Sequence, residues 1–393
     1  MKIIFISPSF YPAFYYGGPI YSSYELAKAL KKQSFDIKVI TTNANGKEKL
    51  KVKTGTFQKL ENYLPVKYYR SLDSRGTSLS MFFNLYRDIK KSEIIYLISI
   101  FSPTTPITII LCKFYKKPLI VTPKGQIDKW CLAQGNRLKK LWLRFFIEPF
   151  IENIYWHSTS AEEQKDINEV YPTAKSFLLP HGINLANFSN NKLPKERSFF
   201  NKYTAFDCTQ SKIIISMGRI HKKKGYDILI KSLDLLLKQN LECLLFIAGD
   251  DFGAKSELQM LIESYSLSDI VFFTGYLEGE EKINFLHNAD VFALPSHDEN
   301  FGIVYAEALA AGTPIIASRH TPWKEVEKYN CGKWVENKPE LFAKSIIEIL
   351  NSDPVKMGKN GRNYVEENYS WDKIAVEFKD QIQRITLENN ESN

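Results

Sequence analysis

The stretch KIIISMGRIHKKKGYDILIKSLDLLLKQNLECLLFIAGD, Lys212 to Asp250, holds the pattern that decides the fold. It opens with KIIISM, a short unbroken apolar run dominated by β-branched Ile, which reads as a strand buried on both faces. Gly218 and Gly225 punctuate the loop that follows. From Tyr226 the apolar residues return at helical spacing in GYDILIKSLDLLLKQ. ECLLFIAGD is then a second buried strand. Strand, helix and strand with continuous rather than alternating hydrophobics is the sequence form of a parallel sheet covered on both faces.

The same alternation extends in both directions. Downstream come IVFFTG, EEKINFLHNA, DVFALPS, IVYAEALAAG and PIIAS, strand and helix in turn. Upstream lie KIIFIS (Lys2–Ser7), a helix with Tyr24, Ala27 and Leu30 on one face, DIKVITT, EIIYLIS, a helix from Thr104 to about Lys116, PLIVTP, IYWHSTS and SFLLP. The pattern lapses only near residues 184–211, a polar stretch with scattered aromatics. The fold class is therefore α/β, with two doubly wound parallel sheets: one domain over residues 1–184, a linker and entry segment over 185–211 and a second domain over 212–370. Helices follow at about Pro339–Leu350 and Val355–Glu367. A last amphipathic helix, 371–390, is expected to pack back on the first domain. Ligands of such sheets bind outside the carboxyl ends of the strands, so the loops after Ser7, Ser99, Thr122, Met217, Ala248, Thr274 and Leu294 should line a cleft.

Composition narrows the classes. The 393 residues are 44% hydrophobic and 24% charged, values of globular domains. The five cysteines are widely spaced and form no C-x-x-C pair, so neither a zinc site nor a disulfide framework is indicated, and a reducing cytoplasm is the expected setting. The opening MKIIFISPSFYP has no secretory pattern, its apolar run ending at Pro8. IYLISIFSPTTPITIILCKFY comes nearest to a membrane span, but Ser102, Pro103 and Pro106 break it. The net charge is +8. It is concentrated in the first half, in lysines such as Lys31, Lys32, Lys116 and Lys117, and attracts something anionic. Nucleic acid is not favoured, because no base-reading motif is present.

Three stretches carry chemistry. MGRIHKKKGYD, Met217–Asp227, sits at a strand's carboxyl end. Arg219 can bind a diphosphate as a fork and Lys224 as a point charge, while Gly218 and Gly225 permit close backbone approach. The bland alternative is a solvated basic loop. HDENFG follows another strand, and Gly302 precedes a helix whose first N–H groups form an anion site. Glu299 lies in that loop and Glu307 a turn or more into the helix. Each is either directed at ligand hydroxyls or structural: Glu299 a loop residue favoured by the helix dipole, Glu307 a helix residue at the surface or buried and paired. The third stretch, AGDD, gives a strand-end acidic pair, Asp250 and Asp251. No D-x-D metal site stands out, and no metal is expected.

Taken together, G-R-x5-G with Lys224 before its last glycine, E-x7-E in ENFGIVYAE, the run EALAAGTPIIAS, LPHGINLANF and the Gly-rich PSFYPAFYYGGP resemble the retaining GT-B glycosyltransferases of family 4, the glycosyl transferases group 1. The chain also resembles bacterial transferases of lipopolysaccharide, capsule and exopolysaccharide, a subgroup with a P-[RK]-G stretch similar to Pro123–Gly125 here. The resemblance covers nearly the whole chain. It implies two Rossmann-like domains facing a cleft and a hexosyltransferase. The donor would be a nucleotide-diphosphate sugar, UDP- or GDP-linked, used without a cofactor. The acceptor would be a saccharide or a lipid-linked saccharide, and the anomeric configuration would be retained. Arg219 and Lys224 would hold the diphosphate and stabilise the leaving nucleotide. Glu299 would bind the transferred sugar's hydroxyls. The backbone N–H groups of Phe301, Gly302 and Ile303 would meet the distal phosphate, and Glu307 the ribose. Gly17 and Gly18 would let their loop approach the donor phosphate and the acceptor.

One position departs from the family. Many members carry a histidine after the strand that here reads PLIVTP, whereas this chain has Lys124 in VTPKGQIDKW. Lys124 would supply charge, or a backbone carbonyl would serve instead. His181 in LPHG, and His157 with Glu162 and Glu163 at another strand end, read as structural. The segment RLKKLWLRFFIEPFIENIYW is either an ordinary core helix or a basic and aromatic face resting on anionic membrane. The second reading would place the protein at the inner face of the plasma membrane. Rival functions are a nucleotide-sugar epimerase of the same architecture and a non-catalytic sugar-binding scaffold. A dinucleotide oxidoreductase is disfavoured, since SPSFYPAFYYGGP lacks G-x-G-x-x-G.

Overall fold

The computed structural model describes residues 1–128, 131–132, 137–188 and 194–391. The chain forms two units: Met1–Gly182 together with Trp371–Asn393, and Ile183–Ser370.

The first unit is built on an eight-stranded sheet. Its strands are β1 (Lys2–Ile6), β2 (Asp36–Thr42), β5 (Phe57–Leu60), β6 (Leu64–Tyr69), β7 (Ile94–Ile98), β8 (Leu119–Thr122), β9 (Ile154–Ser158) and β10 (Lys175–Leu178). Two short strands, β3 (Ala44–Asn45) and β4 (Glu48–Lys49), form a separate hairpin. The sheet order is β10-β9-β8-β7-β1-β2-β6-β5, parallel except for the β5–β6 hairpin. Alternate residues of each strand serve opposite cores. Ile3 and Phe5 of β1 join Ile94, Tyr96 and Ile98 of β7 under the helices Gly18–Lys32 and Trp371–Glu391. Ile4, Ile6, Ile95 and Leu97 face the other way, against Met81, Leu85 and Ile89 of the helix Leu79–Lys90 and Leu143 of Arg137–Phe146. Both faces are covered, which is why these strands read as continuous apolar runs. The last helix contributes Ile374, Phe378, Ile382 and Ile385 to the first of these cores. Its entry is fixed by Gly182, where a Cβ would lie 2.4 Å from the Trp371 ring.

The second unit carries β11 (Lys212–Met217), β12 (Cys243–Ala248), β13 (Val271–Gly275), β14 (Val291–Leu294), β15 (Ile315–Ser318) and β16 (Gly332–Val335). All are parallel, in the order β13-β12-β11-β14-β15-β16. The order reverses between β11 and β14, and the carboxyl ends of those two strands flank the switch point where such sheets bind ligands.

The segment 185–211, expected as a connection and entry segment, packs as part of the second unit. Among its described residues, Phe188, Phe200 and Cys208 are buried in the second unit's core. Phe200 packs on Phe246 with ring centroids 4.7 Å apart. Arg197 reaches the buried Asp290 at 2.7 Å, and Asp290 also accepts the Ile213 N–H at 2.8 Å. The aromatics show no period because short 3-10 turns, Leu185–Phe188 and Arg197–Tyr203, carry them. Residues 189–193 of that segment lie outside the described residues. Among the described residues no helix is long and apolar enough to cross a membrane.

Candidate active site

The loop after β11 is shaped by backbone constraints. Gly225 has φ +66°, and a Cβ there would sit 2.1 Å from the Pro295 carbonyl oxygen. Only glycine lets this loop touch the loop after β14. The three lysines 222–224 form one 3-10 turn capped by His221, whose ring accepts the Lys223 N–H at 3.1 Å. Tyr226, buried, donates to the Gly218 carbonyl at 2.9 Å and fixes the start of the loop. Burial, then the nearby Glu299, raises its phenol, so it stays a donor.

Charges converge at this edge. Lys224 pairs with Glu299, and Lys223 with Asp298. Ser296 donates to the same Glu299 oxygen at 2.9 Å. Arg219 is exposed, lies over the Phe252 ring at 5.3 Å and has no ion pair among the described residues. Gly302 has φ +72°, and a Cβ there would meet the Tyr305 ring at 2.7 Å. It opens the helix Ile303–Ala310, whose first N–H groups have no intrahelical acceptor. Phe301 is buried against Trp323, and Trp323 Nε1 donates to its carbonyl at 2.7 Å, which sets the helix entry. Arg219, Lys224, Glu299, Phe301, Gly302 and Ile303 thus occupy the two adjoining loops and the helix start.

The partners differ from expectation at two positions. Glu307 was expected to find its partner in a ligand, yet it pairs with Lys282 at 2.6 Å. Lys224 and Glu299 were assigned to different parts of a substrate, yet they pair with each other. Both pairs retain 14–28% side-chain exposure. Each pair keeps an open side through which a charged ligand can reach it, and a ligand that offers each member a new partner can displace it. Lys282 and Ser296 were not legible as members of the site, because nothing in GEEKINF or LPSH marks them. Asp251 is a cap: its carboxylate accepts the N–H groups of Gly253, Ala254 and Lys255 at 2.8–3.1 Å. Those hydrogen bonds, Lys255 foremost, lower its pKa.

In the first unit, Gly17 has φ +72° and opens the helix Gly18–Lys32, with open space where a Cβ would stand. Its loop is held by Tyr16, whose hydroxyl donates to the Ser74 carbonyl at 2.5 Å and accepts the Gly46 N–H at 3.0 Å. Lys124 follows β8, and its ammonium donates to Ser22 Oγ at 3.2 Å. Burial lowers its pKa to about 7, against the opposing charge of Glu163. His157 is buried between the Tyr96 hydroxyl at 2.7 Å and the Leu179 carbonyl at 2.8 Å. Burial, then Lys124, pushes it down to about 3. His181, also buried, is lowered in the same way.

The family model of the glycosyl transferases group 1 matches residues 206–364. A GDP-mannose-dependent monoacylated alpha-(1-6)-phosphatidylinositol monomannoside mannosyltransferase of Corynebacterium glutamicum is 32% identical over 267 residues, 65% of this chain and 67% of that protein. The chain belongs to the glycosyl transferases group 1. An uncharacterized glycosyltransferase of Methanocaldococcus jannaschii, MJ1607, is 30% identical over 210 residues, 52% of this chain. That match spans about half of the relative's length, 53%. The crystal structure of Anabaena Alr3699/HepE in complex with UDP superposes with a TM-score of 0.76 at 17% identity, covering 98% of this chain and 100% of that one. At that identity the likeness speaks for the fold, which is GT-B. The stretch matched by the group 1 model contains every candidate side chain of the second unit, from Arg219 to Glu307.

Proposed function

We propose that this group 1 glycosyltransferase moves a hexose from a UDP- or GDP-linked sugar to a saccharide or lipid-linked saccharide with retention of configuration, in bacterial cell-surface polysaccharide synthesis. The observation that carries this reading is Arg219, without an ion pair among the described residues, on the same loop as Lys224 of the Lys224–Glu299 pair, at the switch point and next to the helix start at Gly302. Arg219 and Lys224 take the diphosphate; Lys224 exchanges Glu299 for phosphate, and Glu299 turns to the sugar hydroxyls. As the glycosidic bond loosens, negative charge grows on the departing diphosphate, where the two cations and the backbone N–H groups of Phe301, Gly302 and Ile303 stabilise it. The acceptor hydroxyl attacks on the same face and loses its proton toward the leaving phosphate. Glu307 exchanges Lys282 for the ribose hydroxyls. On the first unit, Gly17 and Gly18 give a loop that admits phosphate or acceptor, and Lys124 supplies charge. The UDP held by HepE and the GDP-mannose in the Corynebacterium enzyme's name motivate the choice of donors.

The test is a panel of UDP- and GDP-sugars scored by thermal stabilisation and by sugar transfer. Lys224→Ala and Glu299→Ala should each lower transfer by about 100-fold or more. Full transfer by both variants would refute the assignment. Donor turnover that yields an epimer with no acceptor present, or binding without turnover, would favour the rival functions.

Membrane contact is part of the proposal. The helix Arg137–Phe146 buries only Leu143 among its residues, while Leu138, Leu141 and Phe145 stand 67%, 46% and 64% exposed among Lys139, Lys140 and Arg144. Trp142 turns the other way and donates to the Ile100 carbonyl at 2.8 Å. An apolar ridge set among cations suits an anionic bilayer surface. The Corynebacterium relative is named for a phosphatidylinositol mannoside, which agrees with a lipid-linked acceptor. Vesicles rich in phosphatidylglycerol should sediment the protein and neutral phosphatidylcholine vesicles should not. Replacing Leu138, Leu141 and Phe145 with Ser should abolish the difference, and equal sedimentation before and after would reject the contact.

A further inference from the structure

β8 ends at Thr122, and the turn after it is unusual. Lys124 and Gly125 both lie in the left-handed region, at φ +55° and +78°. Glycine accepts that conformation; lysine is strained in it and must be held. The holding group is Glu163, 5% exposed, on the first turn of the helix Ala161–Val170. Its Oε1 accepts the Gly125 N–H at 2.6 Å. Its Oε2 accepts the Thr159 N–H at 2.7 Å and the Thr159 hydroxyl at 3.1 Å.

The sequence S-A-E-E, Ser160–Glu163, has the form of a capping box. Ser160 does accept the Glu163 N–H, at 3.0 Å. In such a box the carboxylate returns to the N–H of the cap residue itself. Here it reaches one residue further back and also across to the loop of the neighbouring strand. A cap alone would not require a buried carboxylate, whose desolvation is unfavourable unless it is put to use.

Among the described residues, Glu163 is the opposing charge that acts on Lys124. His157 comes from β9 and His181 from the segment after β10, and both are held neutral by burial. Tyr96 of β7 holds His157 and is itself kept protonated by burial. Ser22, from the helix Gly18–Lys32, is an uncharged acceptor.

We propose that Glu163 is a positioning residue: its buried carboxylate locks the Pro123–Gly125 turn and balances Lys124, so that Lys124 is presented as a cation to the phosphate-bearing substrate. The proposal rests on the role given to Lys124 above. Its sign follows from burial. Lys124 is charged below about pH 7 and neutral above, so a step that uses its charge weakens as pH rises through that value. Removing the Glu163 charge should make Lys124 lose its proton at lower pH.

Competitive labelling of the full chain with acetic anhydride from pH 5 to 10, read by peptide mass spectrometry, reports Lys124 without any substrate. In Glu163→Gln its labelling midpoint should fall by about one pH unit, a tenfold change, while the other lysines keep theirs. An unchanged midpoint in the folded variant overturns the proposal. Should that variant not fold, Glu163→Asp keeps the charge but withdraws from Gly125; it should raise Lys124 labelling at pH 7, and unchanged labelling again overturns the proposal. For turnover of UDP-glucose or GDP-mannose, Glu163→Gln should lower the rate about fivefold at pH 7 and about twofold at pH 6. In a Lys124→Met background it should add less than twofold. Losses that multiply in the double variant mean that Glu163 does not act through Lys124. Full turnover by Lys124→Met alone would remove the function of Lys124 while the labelling result still judged the Glu163 contact.

Discussion

The two units hold their charges in opposite ways. At the carboxyl edge of β11 and β14, Lys224–Glu299 and Glu307–Lys282 are pairs open to water on one side, and Arg219 has no carboxylate partner among the described residues. At the edge of β8 and β9, Glu163, His157 and His181 are buried, and Lys124 is part-buried among them. The first arrangement can change partners, because each pair opens to water on one side and a charged ligand entering there can replace either member. The second cannot: a buried carboxylate that loses its donors carries its full desolvation cost, so those contacts fix a shape. One edge is built for exchange with a charged ligand and the other for holding a turn in place.

The largest effect that would break this contrast is at Gly225. If the exchange edge depends on two loops touching, Gly225→Ala must drive a Cβ into the Pro295 carbonyl and force alanine into the left-handed region. The expected result is a loss of roughly 2 kcal/mol or more in stability, with transfer activity lost as well. Thermal melts of the variant would show it. A melt unchanged within a degree would mean that the loops part easily and that their contact does not shape the site.

How much of this could be read beforehand varies with the kind of evidence. Strands buried on both faces announce themselves as apolar runs, so Ile94–Ile98 and Lys212–Met217 were visible. The hairpin Phe57–Leu60 with Leu64–Tyr69 and the helix Leu79–Lys90 were not, because their apolar residues fall on outward as well as inward faces, as the exposed Phe57, Leu79 and Phe83 show, and this blurs the period. The glycines and charges of the exchange edge were legible because they lie within two short motifs. Their partners were not: Lys282 is 25 residues from Glu307, and no pattern joins them. Glu163 was in view but read as structural, since S-x-x-E looks like a helix cap and only the fold shows it crossing to Gly125. The segment 185–211 looked like a linker because its core contacts come from isolated aromatics in 3-10 turns.

A smaller effect separates charge from geometry at Arg219. Arg219→Lys keeps the positive charge at the exchange edge and removes the planar fork. If the diphosphate is gripped by two parallel hydrogen bonds, transfer should fall about tenfold, with the loss mostly in donor KM. A variant as active as the parent would show that charge alone suffices. The edge would then be a simple electrostatic patch, and its transfer rate should fall steeply with added salt.

The smallest expected effect is the sharpest in sign. Lys282 and Glu307 are 2.6 Å apart, and the donor's ribose is proposed to take Lys282's place. Lys282→Met removes a competitor without touching the acceptor oxygens, so UDP or GDP should bind up to about threefold tighter, within the worth of a part-exposed pair. Glu307→Gln weakens the acceptor and should loosen binding about tenfold, the price of hydrogen bonds to a charged group. Calorimetry with the bare nucleotide reads both. Opposite signs mark a pair that yields to the ligand. Equal losses would mean that Lys282 and Glu307 form a strut between two helices, and the exchange edge would then shrink to the Arg219, Lys224 and Glu299 corner.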